Sequence, residues 1–302
     1  MSNFSNNEYR QTVTDLIGDM FYKNTSVSGK ISFVRKYAEV VIRKILDIEP
    51  NDKVTLGAGD IQKRIKTLPN HEFIEAAVKT ICRKGNDSIH TQYLGGFNSE
   101  DFDEVMDSLF DMLSFLFINY FEKYEFGSRN TIVSAFSLLP PIIRYKVLRF
   151  LNKKYPNNIA VIDKLVLATM KAISVEEAEK WVEEQKDILT NMKAMSEKAF
   201  DEIAEQRGAE IAKSLWDLAP NMYQLSKEKI SLVGTNIKTN GLVYSDFETA
   251  LPYYKAKGTL IGTEPEIEEF NDIMHFLYLG RKEKINELSN ECNSYVIFCF
   301  TS

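Results

Sequence analysis

The chain has 302 residues, a formal net charge of −6, 44% hydrophobic and 26% charged residues, 14 glycines and 8 prolines. That balance excludes collagen-like, low-complexity and disordered chains, and the length suffices for one large domain or two ordinary ones. A pI near 5.4 argues against a protein whose whole surface grips nucleic acid, while leaving room for a local basic patch.

The first residues, MSNFSNNEYRQ, are polar, and no secretory signal is expected from them. Apolar residues then recur at helical spacing. Ile31, Val34, Ala38, Val41, Ile42, Ile45 and Leu46 predict a helix over 29–48, stopped by Glu49-Pro50. A short helix over 60–68 ends at Pro69, and Asn70 can cap the next, which carries Phe73, Ile74, Ala77, Val78 and Ile81 on one face. Gly85-Asn86 is the expected end of that helix, since both residues tolerate the left-handed turn. Ser99 can cap a long helix to about Lys123, with Asp101, Asp103 and Glu104 suited to the positive end of its dipole. Its stretch Val105–Phe121 carries Asp107 and Asp111, so a buried helix is expected rather than a membrane span.

The turn-rich run Glu125–Asn130 is the best boundary, dividing the chain into 1–125 and 126–302. Beyond it, Pro140-Pro141 opens a helix, a second covers 157–173, and Ser174 with Glu177 has the spacing of a capping box. That last segment is expected to reach about Gly208, interrupted at Gln185, as one face of a helical hairpin or bundle. Residues 208–262 give no clear period. A helix is expected over 264–288, and Tyr295–Phe300 reads as one strand or a buried plug. The expected fold class is all-α, in two parts.

Chemistry-bearing residues are few. The cysteines, at 82, 292 and 299, form no paired spacing, which fits a reducing, cytoplasmic setting. No HExxH, Walker-type, dinucleotide or nucleophile-elbow motif occurs, so no metal or cofactor is expected. Of three histidines, His71 is expected on the surface and His275 in the core. His90 stands apart because Arg83, Asn86 and Asp87 precede it within seven residues. A permanent cation, a side-chain amide and a near-neutral base are what metal-free RNA cleavage needs: a proton acceptor for the ribose 2′-OH, a donor for the leaving 5′-oxygen and a cation for the phosphorane. A polar loop after a helix end is the plainer reading of the same residues.

Arg83-x6-His90, preceded by Arg35-x3-Glu39 on an apolar helix and followed by a long apolar helix over 99–123, resembles the HEPN superfamily (higher eukaryotes and prokaryotes nucleotide-binding). The resemblance covers about residues 5–125, with Arg83 one residue nearer the Gly-Asn pair than in comparable domains. It implies an N-terminal helical bundle whose Arg83 stabilises phosphate and whose His90 is the general acid or base. Asn86, Asp87, Arg35 and Glu39 would support them. It further implies a homodimer that joins two motifs in one cleft, and an endoribonuclease acting on RNA, tRNA included, as a toxin or abortive-infection effector. Some members are inactive modules that bind nucleotide, RNA or protein, which is the alternative.

Residues 140–171 hold seven cations against one acid, Asp163. Arg144, Lys146, Arg149 and Lys153 are expected to form a basic stripe for an RNA backbone, with Tyr145 and Tyr155 for stacking. A solvated helix face, or pairing with the acidic helix that follows, is the plainer alternative. Residues 126–302 resemble no family and are expected to regulate or to receive a partner or trigger.

Overall fold

A computed structural model describes residues 7–49, 52–89 and 96–284, and their regular secondary structure is all helical, with no strand among them. In chain order the helices are α1 (Asn7–Phe21), α2 (Val27–Leu46), α3 (Gly59–Lys66), α4 (Glu72–Ile89), α5 (Ser99–Lys123), α6 (Asn130–Phe136), α7 (Pro141–Lys154) and α8 (Ile159–Ala172). They continue with α9 (Val175–Glu184), α10 (Lys186–Thr190), α11 (Glu197–Arg207), α12 (Ala209–Leu218), α13 (Met222–Asn240), α14 (Phe247–Lys257) and α15 (Pro265–Tyr278). The all-α expectation holds, and no described helix is long and apolar enough to cross a membrane. The expected strand or plug at Tyr295–Phe300 lies outside the described residues.

The chain forms two units. The described residues up to Tyr120 combine with Thr263–Lys282 in the first, and Phe121–Gly262 makes up most of the second. The sequence boundary at 125 therefore lies close to one crossing of the chain, but the second crossing, at 262, is absent from the sequence reading. What draws α15 to the first unit is its apolar face, Ile267, Phe270, Met274 and Leu277, all buried. Phe270 packs against Phe117 (ring centroids 5.8 Å) and Tyr120 (5.6 Å), and Phe276 stacks on the fully buried Tyr37 at 6.4 Å. Each such aromatic pair adds roughly 0.5–1.5 kcal/mol to the area it buries. Tyr120 also donates its hydroxyl to the Glu266 carbonyl at 3.1 Å.

Local chemistry sets the helix ends. Ser26 accepts from the Gly29 amide at 3.2 Å to start α2, which ends with Asp47 in the left-handed region (φ 48°). Asn98, rather than Ser99, opens α5: its side chain accepts from the Asp101 amide while Asp101 accepts from the Asn98 amide, both at 3.0 Å. Asn70 takes a left-handed backbone (φ 57°) ahead of α4, and its carbonyl accepts from the Phe73 amide at 3.0 Å. Helix α4 does not end at Gly85-Asn86; it runs to Ile89.

In the second unit, Phe121, Phe126 and Phe136 meet edge to face at 4.8–5.7 Å. Ile162, Val166, Val175, Val182, Met222 and Leu225 make the core shared by α8, α9 and α13. Ser174 caps α9 through the Glu177 amide (3.1 Å). The segment expected to reach Gly208 breaks into three helices, and residues 192–194 are held to 220–222 by backbone bonds from Met222 to Met192 (2.7 Å) and from Ala194 to Pro220 (2.9 Å).

Candidate functional site

The sequence places its chemistry on α2 and α4, and their packing explains why α4 continues past Gly85. A Cβ at Gly85 would lie 2.6 Å from Cδ of Arg35, so the glycine is there to let α2 come close. Around it, Ser28 donates to the Ser88 carbonyl and Ser32 meets the Ser88 hydroxyl, both at 2.9 Å. This seam satisfies the polar groups of the two helices where they touch.

Arg35, lying across Gly85, donates through Nη1 to the Asn86 side-chain oxygen. Glu39 accepts from the Leu56 amide at 3.2 Å. Arg35 thus links α2 to α4, and Glu39 fastens the loop before α3. Arg83 and Asn86 lie three residues apart on one face of α4, and both are exposed. Asp87, the next residue, is half-buried. Arg83 Nη2 stands 3.3 Å from Glu104 Oε1, with the two side chains 60% and 46% exposed. Lys84 beside it pairs with Asp101 and, at 3.1 Å, with Glu104. The Asp101 carboxyl is held below the usual carboxylate range, first by Lys84 and then by the Asn98 amide. The acidic first turn of α5 therefore faces the basic end of α4. His90, to which the sequence reading assigns the base, lies outside the described residues.

The other histidines differ from expectation. His71 is half-buried, with Nδ1 3.2 Å from the Leu68 carbonyl. His275 is exposed rather than in the core, because it falls between the inward positions Met274 and Phe276 on the outer side of α15.

The basic stripe divides. Arg149 and Lys153 are exposed on α7, Lys146 is half-buried, and Arg149 Nη1 donates to the Tyr145 hydroxyl at 3.1 Å. Tyr155 is exposed and donates to Glu122 at 3.1 Å. Arg144 leaves the stripe: it is 6% exposed and belongs to the buried face of α7 with Val147, Leu148 and Leu151. The acidic helix α9 pairs with α13, through Glu176–Lys238 (2.9 Å) and Glu183–Lys227 (3.0 Å).

Arg144 lines a cavity of about 430 Å³ within the second unit. Five cations line it, Arg144, Lys164, Lys171, Lys229 and Lys257, and no carboxylate does. Asp163 pairs with the buried Lys229 and, at 3.3 Å, with Lys164. The Arg144 guanidinium lies 5.7 Å from the Tyr244 ring centre, and its Nε and Nη2 are buried with no hydrogen-bond partner among the described residues. The Lys171 amine is pushed down to about 8 by burial, then by the nearby charges of Arg144 and Lys164. Sequence reasoning missed this site because its cations come from four separated elements. The one signal was the excess of positive charge in 140–171.

Among the described residues, no three His, Cys, Asp or Glu side chains gather as a metal ion would require. No family model, curated protein or solved structure matches this chain.

Proposed function

We propose that the chain is an endoribonuclease of the HEPN kind, in which Arg83 and His90 act on a phosphodiester without a metal ion. One imidazole takes the 2′-hydroxyl proton as that oxygen attacks phosphorus. The P–O5′ bond breaks, and the 5′-oxygen leaves with a proton from the second imidazole of a homodimer. The products carry a 2′,3′-cyclic phosphate and a free 5′-hydroxyl. Arg83 offers the phosphorane its planar fork of donors.

The observation that supports this reading is the exposed Arg83 on the same face of α4 as Asn86, whose amide is fixed by Arg35 from α2. Glu104 neutralises Arg83 in the resting protein, but an exposed ion pair of this kind is worth only about 0–1 kcal/mol, so a phosphate can displace it. The exposed Arg149 and Lys153 of α7 add non-specific hold on an RNA backbone. A toxin or antiviral role in a cytoplasm belongs to the same proposal. The occupied Asn86 oxygen favours a second reading, a silent module that binds RNA or a partner and does not cut.

Cleavage of total RNA and tRNA in EDTA tests it. The wild type is expected to yield cyclic-phosphate ends, His90→Ala to yield none, and Arg83→Ala to cut roughly 10²–10³-fold more slowly, as expected for losing one transition-state donor. RNA bound but left intact by the wild type supports the silent module. Cleavage untouched by either substitution rejects the assignment.

A further inference from the structure

We propose that the cavity of the second unit is a binding site for a small organic phosphate, with Arg144 and Lys171 as its anion-recognising residues. The argument begins with Arg144. A guanidinium withdrawn from water and left without acceptors is costly, because neither hydrogen bonds nor a counter-charge replace its hydration. The Tyr244 face offsets only part of that cost. Lys229, equally buried at 2% exposure, shows the usual solution: it has Asp163. Nothing of the kind is supplied to Arg144, and its two orphaned nitrogens belong to a side chain that lines a cavity.

The lining defines the ligand. Asp163 neutralises part of the Lys164 and Lys229 charge, whereas Arg144, Lys171 and Lys257 pair with no carboxylate among the described residues. A phosphate monoester, with two negative charges and three acceptor oxygens, complements a guanidinium fork flanked by ammonium groups. The rest of the wall is mostly apolar or aromatic, with Leu167, Val233, Tyr244 and Tyr253 among its residues, and Ser134, Ser137 and Asn236 add hydroxyl and amide groups. The body of the ligand is therefore a compact organic group, and about 430 Å³ lies in the range of pockets that enclose such molecules. The burial of Arg144 also sets the size class. An RNA backbone running over a surface does not bring its phosphates to a side chain that is 6% exposed.

Lys257, exposed at the rim, is suited to capture the anion, and Arg144 to hold it. The proposal is independent of RNA cleavage by Arg83 and His90, since those residues belong to the first unit and each experiment uses its own variants.

Thermal melting of the full chain tests it, with millimolar inorganic phosphate, adenosine 5′-monophosphate, adenosine and a 5′-phosphorylated RNA oligonucleotide as probes. Phosphate and the monophosphate are expected to raise the wild-type Tm, the monophosphate by roughly 3–5 °C near saturation, and adenosine not to. Arg144→Met keeps the shape of the site without its charge. It is expected to melt no lower than the wild type without ligand, and to lose the phosphate-induced shift. Lys171→Met reports independently and is expected to weaken monophosphate binding about tenfold by calorimetry. No shift with either phosphate probe, or a shift that survives both substitutions, overturns the proposal. So does a shift given only by a 5′-phosphorylated RNA oligonucleotide, which would make the cavity a socket for an RNA end.

Discussion

Lys171 carries the consequence of a crowded positive site in its own titration. It shares the cavity wall with Arg144 from α7, Lys164 from α8, Lys229 from α13, Lys257 and Tyr253 from α14 and Tyr244 from the loop before it, and of these the charges of Arg144 and Lys164 act on its amine. Its pKa in the folded chain, about 8, lies below the ordinary lysine value. Below pH 8 the amine is charged in both states and the folded chain bears the full burden of burying it. Between pH 8 and about 10.4 only the unfolded chain keeps the proton, so unfolding takes one up and stability gains with rising pH. Lys171→Met removes this dependence. Its urea midpoint should exceed that of the wild type most clearly at pH 7, by an amount on the order of a few kcal/mol in stability, and the gap should close toward pH 10. A gap that stays constant across that range would mean the amine is not the titrating group.

At the scale of the element, α4 shows where the sequence misleads. Gly-Asn is a frequent helix end, yet here Gly85 stays helical because Arg35 of α2 fills the space a side chain would take, and Ser88 exchanges hydrogen bonds with Ser28 and Ser32. Tertiary packing outweighs the local preference. Gly85→Ala is accordingly expected to destabilise the chain by about 1–3 kcal/mol, although alanine is the better helix former, because Arg35 must move. Chemical denaturation checks the sign. Much of the rest was legible: Ser174 and the Pro140-Pro141 pair mark helix starts by chemistry that acts within one turn. What stayed hidden has its own physical cause. The inward face of α13 includes Lys229 and Ser226, both buried, which erases its apolar period, and α14 carries Pro252 within the helix. Arg144 was read as a surface residue because arginine usually is one, and only its neighbours on α7 reveal the buried face. Arg83 and Asn86 were read as neighbours in a turn, and their shared helix face follows only from the continuation of α4, while the Glu104 that occupies Arg83 comes from the next helix and left no local mark.

For the whole molecule, the decisive fact is that the first unit takes one of its helices from beyond residue 262. A fragment cut at the sequence boundary of 125 would leave Phe117, Tyr120 and Tyr37 without Phe270 and Phe276. It is expected to show no cooperative melting by circular dichroism, and Phe270→Ala in the full chain to cost roughly 3–5 kcal/mol. A fragment that melts as sharply as the whole would show that α15 is dispensable. Domain boundaries read from composition miss such returns, because a helix records that it has an apolar face and not which neighbour covers it.

That return of the chain also orders events in time. During synthesis the first unit waits, its aromatic face uncovered, while the 142 residues from Phe121 to Gly262 are made. At ordinary elongation rates this lasts on the order of ten seconds. A segment that must wait for a distant helix is open to chaperones and proteases for that interval. Any activity housed there is also withheld from the ribosome that is still making it.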